Sequence, residues 1–236
     1  MNNHVVLVVG KPNSGKSFSL LNLPDQDKYV YFNTDLKLLP FKHSFMEAKI
    51  SDPLDILGYL EEVESNPDIK GAVLDTITFL MDQFEQQYVV NSSNGQKAWG
   101  EFANYYKKLI HKIKSSTKNY AILAHVKDVI NESEMILESK VPIKGSVGAT
   151  GVEADFTTIV GAKTISIKEA RKNENSLLTI SPEEEEDGVK RVFQTRIDKD
   201  SIGHKYRSQQ SLWKREEKYI NNDLNIVFNR LTEYYE

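Results

Sequence analysis

Between the apolar run Val5 to Val9 and a segment beginning at Lys16, the chain reads Gly10-Lys11-Pro12-Asn13-Ser14-Gly15-Lys16-Ser17. It satisfies G-x-x-x-x-G-K-[ST] at every position and lies between a strand-like run and a predicted helix start. That spacing suits one chemistry. Glycines let backbone N–H groups turn inward around a phosphate, the helix N-terminus adds the positive end of a dipole, and Lys16 reaches the outer phosphates as a mobile cation. Ser17 offers its hydroxyl to Mg²⁺, and Phe18, directly behind it, belongs to the same candidate binding set. ATP with Mg²⁺ is the expected ligand; an ordinary Gly/Ser turn before a helix is the alternative, and the flanking elements argue against it.

A carboxylate at the end of a second buried strand is needed on the metal side, and Asp75, after Ala72-Val73-Leu74, has that position. It is expected to hold Mg²⁺ through water, although an Asp there can also cap the next helix. Thr76 could bond the adjacent strand end or the attacking water.

These groups need elements to hold them. Val5 to Val9 reads as a central parallel strand buried on both faces, followed by a helix from Lys16 to Leu23 that Pro24 ends. Tyr29 to Phe32 is a second strand, running out at Asn33-Thr34-Asp35. Ser51 or Asp52 can cap a helix with Pro53 at its start and Leu54, Leu57, Leu60 and Val63 as its stripe. Ala72 to Leu74 and Tyr120 to Ala124 are further strands, and Lys97 to Lys114 is an amphipathic helix. Lys127 to Gly151 is expected to be a long loop, functional or disordered, before a strand at Phe156 to Val160. Leu177 to Ile180 and Val189 to Ile197 suggest an antiparallel hairpin around the acidic run Glu183 to Asp187, and a last helix starts at Asp223. The expected fold class is α/β, a mostly parallel twisted sheet with helices on both faces and a C-terminal antiparallel hairpin extension. One domain over 1–236 is expected, with a core at 4–165 and the hairpin and helical extension at 166–236.

Composition narrows the classes. The 236 residues include no cysteine, which excludes disulfides, thiolate metal sites and cysteine nucleophiles. No apolar run approaches the ~18 residues of a membrane span and no cleavable signal precedes the motif, so a cytoplasmic protein without a membrane partner is expected. Thirty Lys+Arg against 34 Asp+Glu conceals asymmetry. Lys97 to Lys118 holds six lysines against Glu101, and Lys190 to Lys218 holds nine basic residues against four acidic ones, or +5 in each. Either stretch could face a polyanion or be a solvated helix face.

Four passages together resemble the RecA-like P-loop ATPases, and within them the small phage RecA-like proteins of single-strand annealing and recombination. They are GKPNSGKS at 10 to 17, YVYFNTD at 29 to 35, GAVLDTITFL at 71 to 80 with KAWGEFANYYKKLI at 97 to 110, and AILAHVKD at 121 to 128. The resemblance implies a RecA-like core. It also implies that Asp35, where the family usually has Glu, polarises the attacking water; capping of the Leu36 turn is the alternative. His125 would be the γ-phosphate sensor where the family often has Gln, unless it is simply structural. Lys127 to Gly151 occupies the place of the DNA-binding loop, with Lys127, Lys140, Lys144, Gly145 and Gly148 as candidates to track a sugar-phosphate backbone.

All six arginines lie beyond residue 170, so no arginine of the phosphate-binding half can neutralise a transferred phosphate. The resemblance implies a finger supplied by a neighbouring subunit, with Lys199 first and Arg196 second; a basic strand edge is the alternative. The implied protein is an oligomeric, filament- or ring-forming, DNA-stimulated ATPase that binds single-stranded DNA, with a single-strand-binding protein as a further possible partner; if phage-encoded, it acts in the host cytoplasm. An ATP-driven loader or switch acting on a protein, and a small-molecule or nucleotide kinase, are the competing readings.

Overall fold

The computed structural model describes residues 4–236. β1 (Val5–Gly10) leads into the phosphate loop and a 3₁₀ turn at Ser17–Leu20, followed by β2 (Tyr29–Asn33), β3 (Met46–Lys49) and α1 (Ile56–Ser65). β4 (Gly71–Asp75), α2 (Ile77–Phe84) and α3 (Gly95–Ser115) come next, then β5 (Asn119–His125), β6 (Lys127–Asn131), β7 (Ile136–Lys140) and α4 (Gly145–Thr150). β8 (Thr158–Ser166), α5 (Ile167–Lys172), α6 (Pro182–Asp187), β9 (Val189–Gln194), β10 (Tyr219–Asn221) and α7 (Leu224–Tyr235) complete the chain.

The main sheet has the order β10-β9-β8-β1-β5-β4-β2-β3. β3, β2, β4, β5, β1 and β8 are mutually parallel, whereas β9 runs antiparallel to both β8 and β10. This is the expected mostly parallel α/β sheet with an antiparallel extension. β1 explains why it forms: Val5, Leu7 and Val9 enter one core with α1, α2 and α3, while Val6 and Val8 enter the other with Leu20, Phe193 and α7. A strand covered on both faces tolerates apolar residues throughout, and truncating fully buried Leu7 to Ala should cost ~2–5 kcal/mol. Among the described residues no helix is long and apolar enough to cross a membrane.

Several expectations are corrected. The helix from Lys16 to Leu23 is only the 3₁₀ turn, in which the Ser19 hydroxyl donates to the Lys16 carbonyl at 2.6 Å and competes with regular helical bonding. β3 was not foreseen, because Met-Glu-Ala-Lys favours helix and becomes a strand by pairing with β2 at the sheet edge. Ile56, not exposed Leu54, starts the buried stripe of α1, whose entry turn Asp52 caps.

The 127–151 segment is not a loop. β6 and β7 pair as an antiparallel hairpin in a separate two-stranded sheet, and α4 follows. The second hairpin is also re-drawn: β9 pairs with β8 and β10, Leu177–Ile180 forms no strand, and the acidic run is α6, begun by a Ser181–Glu184 capping box.

Candidate functional site

The phosphate loop joins the end of β1 to the 3₁₀ turn and lines a cleft of about 480 Å³ with Asp35, Lys37, Asp75, His125 and Arg191. Gly15 has φ +95°, where a side chain would be strained, and a Cβ there would stand 2.6 Å from Asn222 Nδ2 and 2.8 Å from Arg191 Cδ. Lys16 is buried. Its Nζ donates to the carbonyls of Gly10 and Lys11, each at 3.0 Å, and lies 3.2 Å from Nδ1 of His125. Burial lowers its pKa to about 8, opposed by Asp75. The hydroxyl of Ser14, in the same loop, is buried without a hydrogen-bond partner.

Parallel pairing puts the end of β4 beside β2 and β5, which brings Asp75 under the loop. Ser17 Oγ donates to Asp75 Oδ2 at 2.6 Å and Tyr31 Oη donates to the same oxygen at 2.9 Å. Burial raises the carboxyl pKa, and the two hydroxyl donors oppose that rise. Asp75 therefore faces the loop, while Thr76 does the capping: its hydroxyl accepts from Phe79 N at the start of α2. Asp35 lines the cleft, and its carboxylate also accepts from Lys37 N at 3.1 Å and pairs with Lys37 Nζ at 3.3 Å. His125 stands at the end of β5 edge-on to Phe79. Burial first, and Lys16 second, lower its pKa to about 4, leaving a neutral imidazole near neutral pH.

The donors present fit a magnesium ion. Ser17 Oγ and Asp75 Oδ2 are hard oxygen donors held 2.6 Å apart beside the phosphate loop. Mg²⁺ commonly takes one or two protein oxygens and completes its shell with phosphate and water. Once bound, it would neutralise charge developing between the outer phosphates.

The other candidates lie elsewhere. Arg196 and Lys199 are exposed just beyond β9 and do not line the cleft of their own chain. Lys127 is exposed at the start of β6, opposite Lys140. Lys140 pairs with Glu138, and Lys144 with Glu85 at 2.6 Å. The glycines serve packing: Gly145 lies against Trp99, and a Cβ on Gly148 would stand 1.8 Å from the Ile143 carbonyl oxygen. These contacts correct the expectation of a long loop, since Val141, Ile143 and Val147 are inserted in the main core.

Sequence reasoning missed three residues at the cleft. Lys37 lies 5.5 Å from the Phe79 ring centroid, Asn222 Nδ2 donates to the Gly15 carbonyl at 2.8 Å, and Arg191 lines the cleft from β9. Arg191 is one of the arginines beyond residue 170, and it lines the cleft of its own chain. No linear signal marks it, because the pairing of β8 with β9 brings it there.

The AAA domain family model matches residues 2–198, and the chain belongs to that family. The architecture and the loop accordingly define an AAA-type P-loop ATPase domain, a class that binds and hydrolyses nucleotide. No curated protein matches the chain.

Proposed function

We propose that this ATPase binds single-stranded DNA through the β6–β7 hairpin and, as an oligomer, promotes annealing or recombination under control of its ATP state. One observation carries the reading: the hairpin is tied directly to the phosphate loop. Lys11 pairs with Asp128 of β6 at 2.5 Å, and only Val126 separates His125 from the hairpin. The exposed side chains of Ile130, Met135 and Leu137 are suited to lie against or between unstacked bases, a sequence-tolerant contact. Gly203 accepts from Ser139 N at 2.9 Å, which sets exposed Ile202 beside the hairpin.

Charge assigns the backbone contacts to the base of the hairpin and the segment beside it. The hairpin has Lys127 and Lys140 against Asp128, Glu132, Glu134 and Glu138, so phosphate neutralisation falls to exposed Lys127 at its base and to Lys205, which reaches Glu138 from the segment after β9 at 3.4 Å. The same acidic, apolar-tipped hairpin favours a second reading, an ATP-driven switch or loader acting on a protein.

Anisotropy of labelled oligonucleotides, over a salt series and with or without a non-hydrolysable ATP analogue, separates the two. A variant with Ile130, Met135 and Leu137 changed to Ser should lose at least ~10-fold in single-strand affinity and keep its unstimulated ATPase, given ~1–3 kcal/mol for a stacking contact. Affinity of the parent should fall by ~0.7 log units per log unit of salt for each phosphate contact. Absence of single-strand binding at low salt in every nucleotide state would move the assignment to a protein partner.

A further inference from the structure

Arg191 projects from β9, opposite Thr164 of β8, toward the phosphate loop. Its Cδ lies 2.8 Å from where a Cβ on Gly15 would stand, and its guanidinium carbon is 5.4 Å from the centroid of the Phe18 ring. The residue borders both the main cleft and an adjoining hollow of about 260 Å³, which Phe18, Asn22, Asn221 and Asn222 also line. Among the described residues no carboxylate pairs with Arg191; the nearby Glu184 binds Lys190 at 2.8 Å. One face of the guanidinium therefore rests on an aromatic ring while its N–H fork remains for a ligand.

The cleft has two cationic ends. Lys16 and Lys37 stand with Asp35 and His125 at one, and Arg191 stands by Gly15 and Phe18 at the other. In a loop of this pattern the lysine reaches the β- and γ-phosphates, and the backbone N–H groups cradle the α- and β-phosphates. The Phe18 end thus receives the α-phosphate and the nucleoside.

We propose that Arg191 is a nucleotide-binding residue acting within its own subunit. Its guanidinium grips the α-phosphate of a nucleoside di- or triphosphate while Phe18 holds its plane, so the antiparallel extension completes the nucleotide site. Arg191 sets affinity; the chemical step belongs to the other end of the cleft. This rests only on nucleotide binding, not on any DNA partner.

The test is equilibrium binding of a fluorescent ATP analogue and of its ADP counterpart, alongside steady-state ATP hydrolysis. Arg191→Ala should weaken both ligands by about 10- to 100-fold, the loss expected for one charged hydrogen-bonding group, and raise KM while leaving kcat within about two-fold. Arg191→Lys, which keeps a charge but not the planar fork, should recover only part of the affinity, and Phe18→Ala should also weaken both nucleotides. Circular dichroism and thermal melts check folding; should the alanine variant not fold, the lysine variant reads the same comparison. Unchanged affinity, loss for ATP but not ADP, or a fall in kcat at unchanged affinity would each overturn the assignment. Failure of the parent to bind either nucleotide would instead fell the ATPase reading itself.

Discussion

Lys16 Nζ stands 3.2 Å from Nδ1 of His125. A charged ammonium only donates, so Nδ1 accepts and the imidazole proton sits on Nε2. This contact, with those to the carbonyls of Gly10 and Lys11, engages all three Nζ donors, so donating to a triphosphate requires Lys16 to release at least one of them. Each of these acceptors borders the path to the hairpin: Lys11 holds Asp128, and His125 ends the strand from which β6 departs. The pair thus joins the phosphate loop to the strand end from which β6 departs.

Lys16→Ala should abolish hydrolysis and weaken ATP binding, whereas Asp75→Asn should bind nearly as the parent does and lose turnover. The difference follows from a direct phosphate contact against a metal-side carboxylate. Calorimetric titration and steady-state assays read both, and parental turnover in Lys16→Ala would remove the site assignment.

Asp35→Asn should hydrolyse ATP at least ~10²-fold more slowly at unchanged affinity, as for loss of a general base. Because Lys199 lies outside the cleft of its own chain, Lys199→Ala should bind nucleotide normally and lose only stimulated hydrolysis. Mixing the two variants should restore part of the activity through mixed interfaces. No restoration in proven mixed oligomers would exclude a finger from the neighbouring subunit; normal turnover in Asp35→Asn would leave that residue as the cap of the Lys37 turn.

Burial holds the folded pKa of His125 at about 4, below the ordinary histidine value of 6.5. Between those values the unfolded chain binds more protons than the folded one, so stability falls as pH drops through this window. His125→Gln should flatten part of that fall and change little at about pH 8, while His4 and His204, also lowered by burial, keep their share. Denaturant melts at several pH values compare the two proteins, and parallel curves would show that His125 does not titrate this way.

Local signals sufficed for the parts whose chemistry is contiguous. The loop from Gly10 to Ser17 and the strand of Val5 to Val9 could be read directly, since a phosphate cradle and a doubly covered strand are each specified within a few residues. Asp75 was legible as a carboxylate at a strand end, and the structure sets it against Ser17 while Thr76 caps α2. Residues far apart in sequence were not. β3 exists only because β2 offers an edge, and the 127–151 segment reads as a loop until Val141, Ile143 and Val147 find the core and Gly203 bonds the back of β7. Arg191 and Asn222 reach Gly15 across 176 and 207 residues through strand pairing that no linear pattern encodes. The sequence by itself determined a loop of the phosphate-binding pattern and its place after a doubly covered strand. Tertiary structure decided which side chains close around it, because strand order, not sequence spacing, sets which strand ends meet at the cleft.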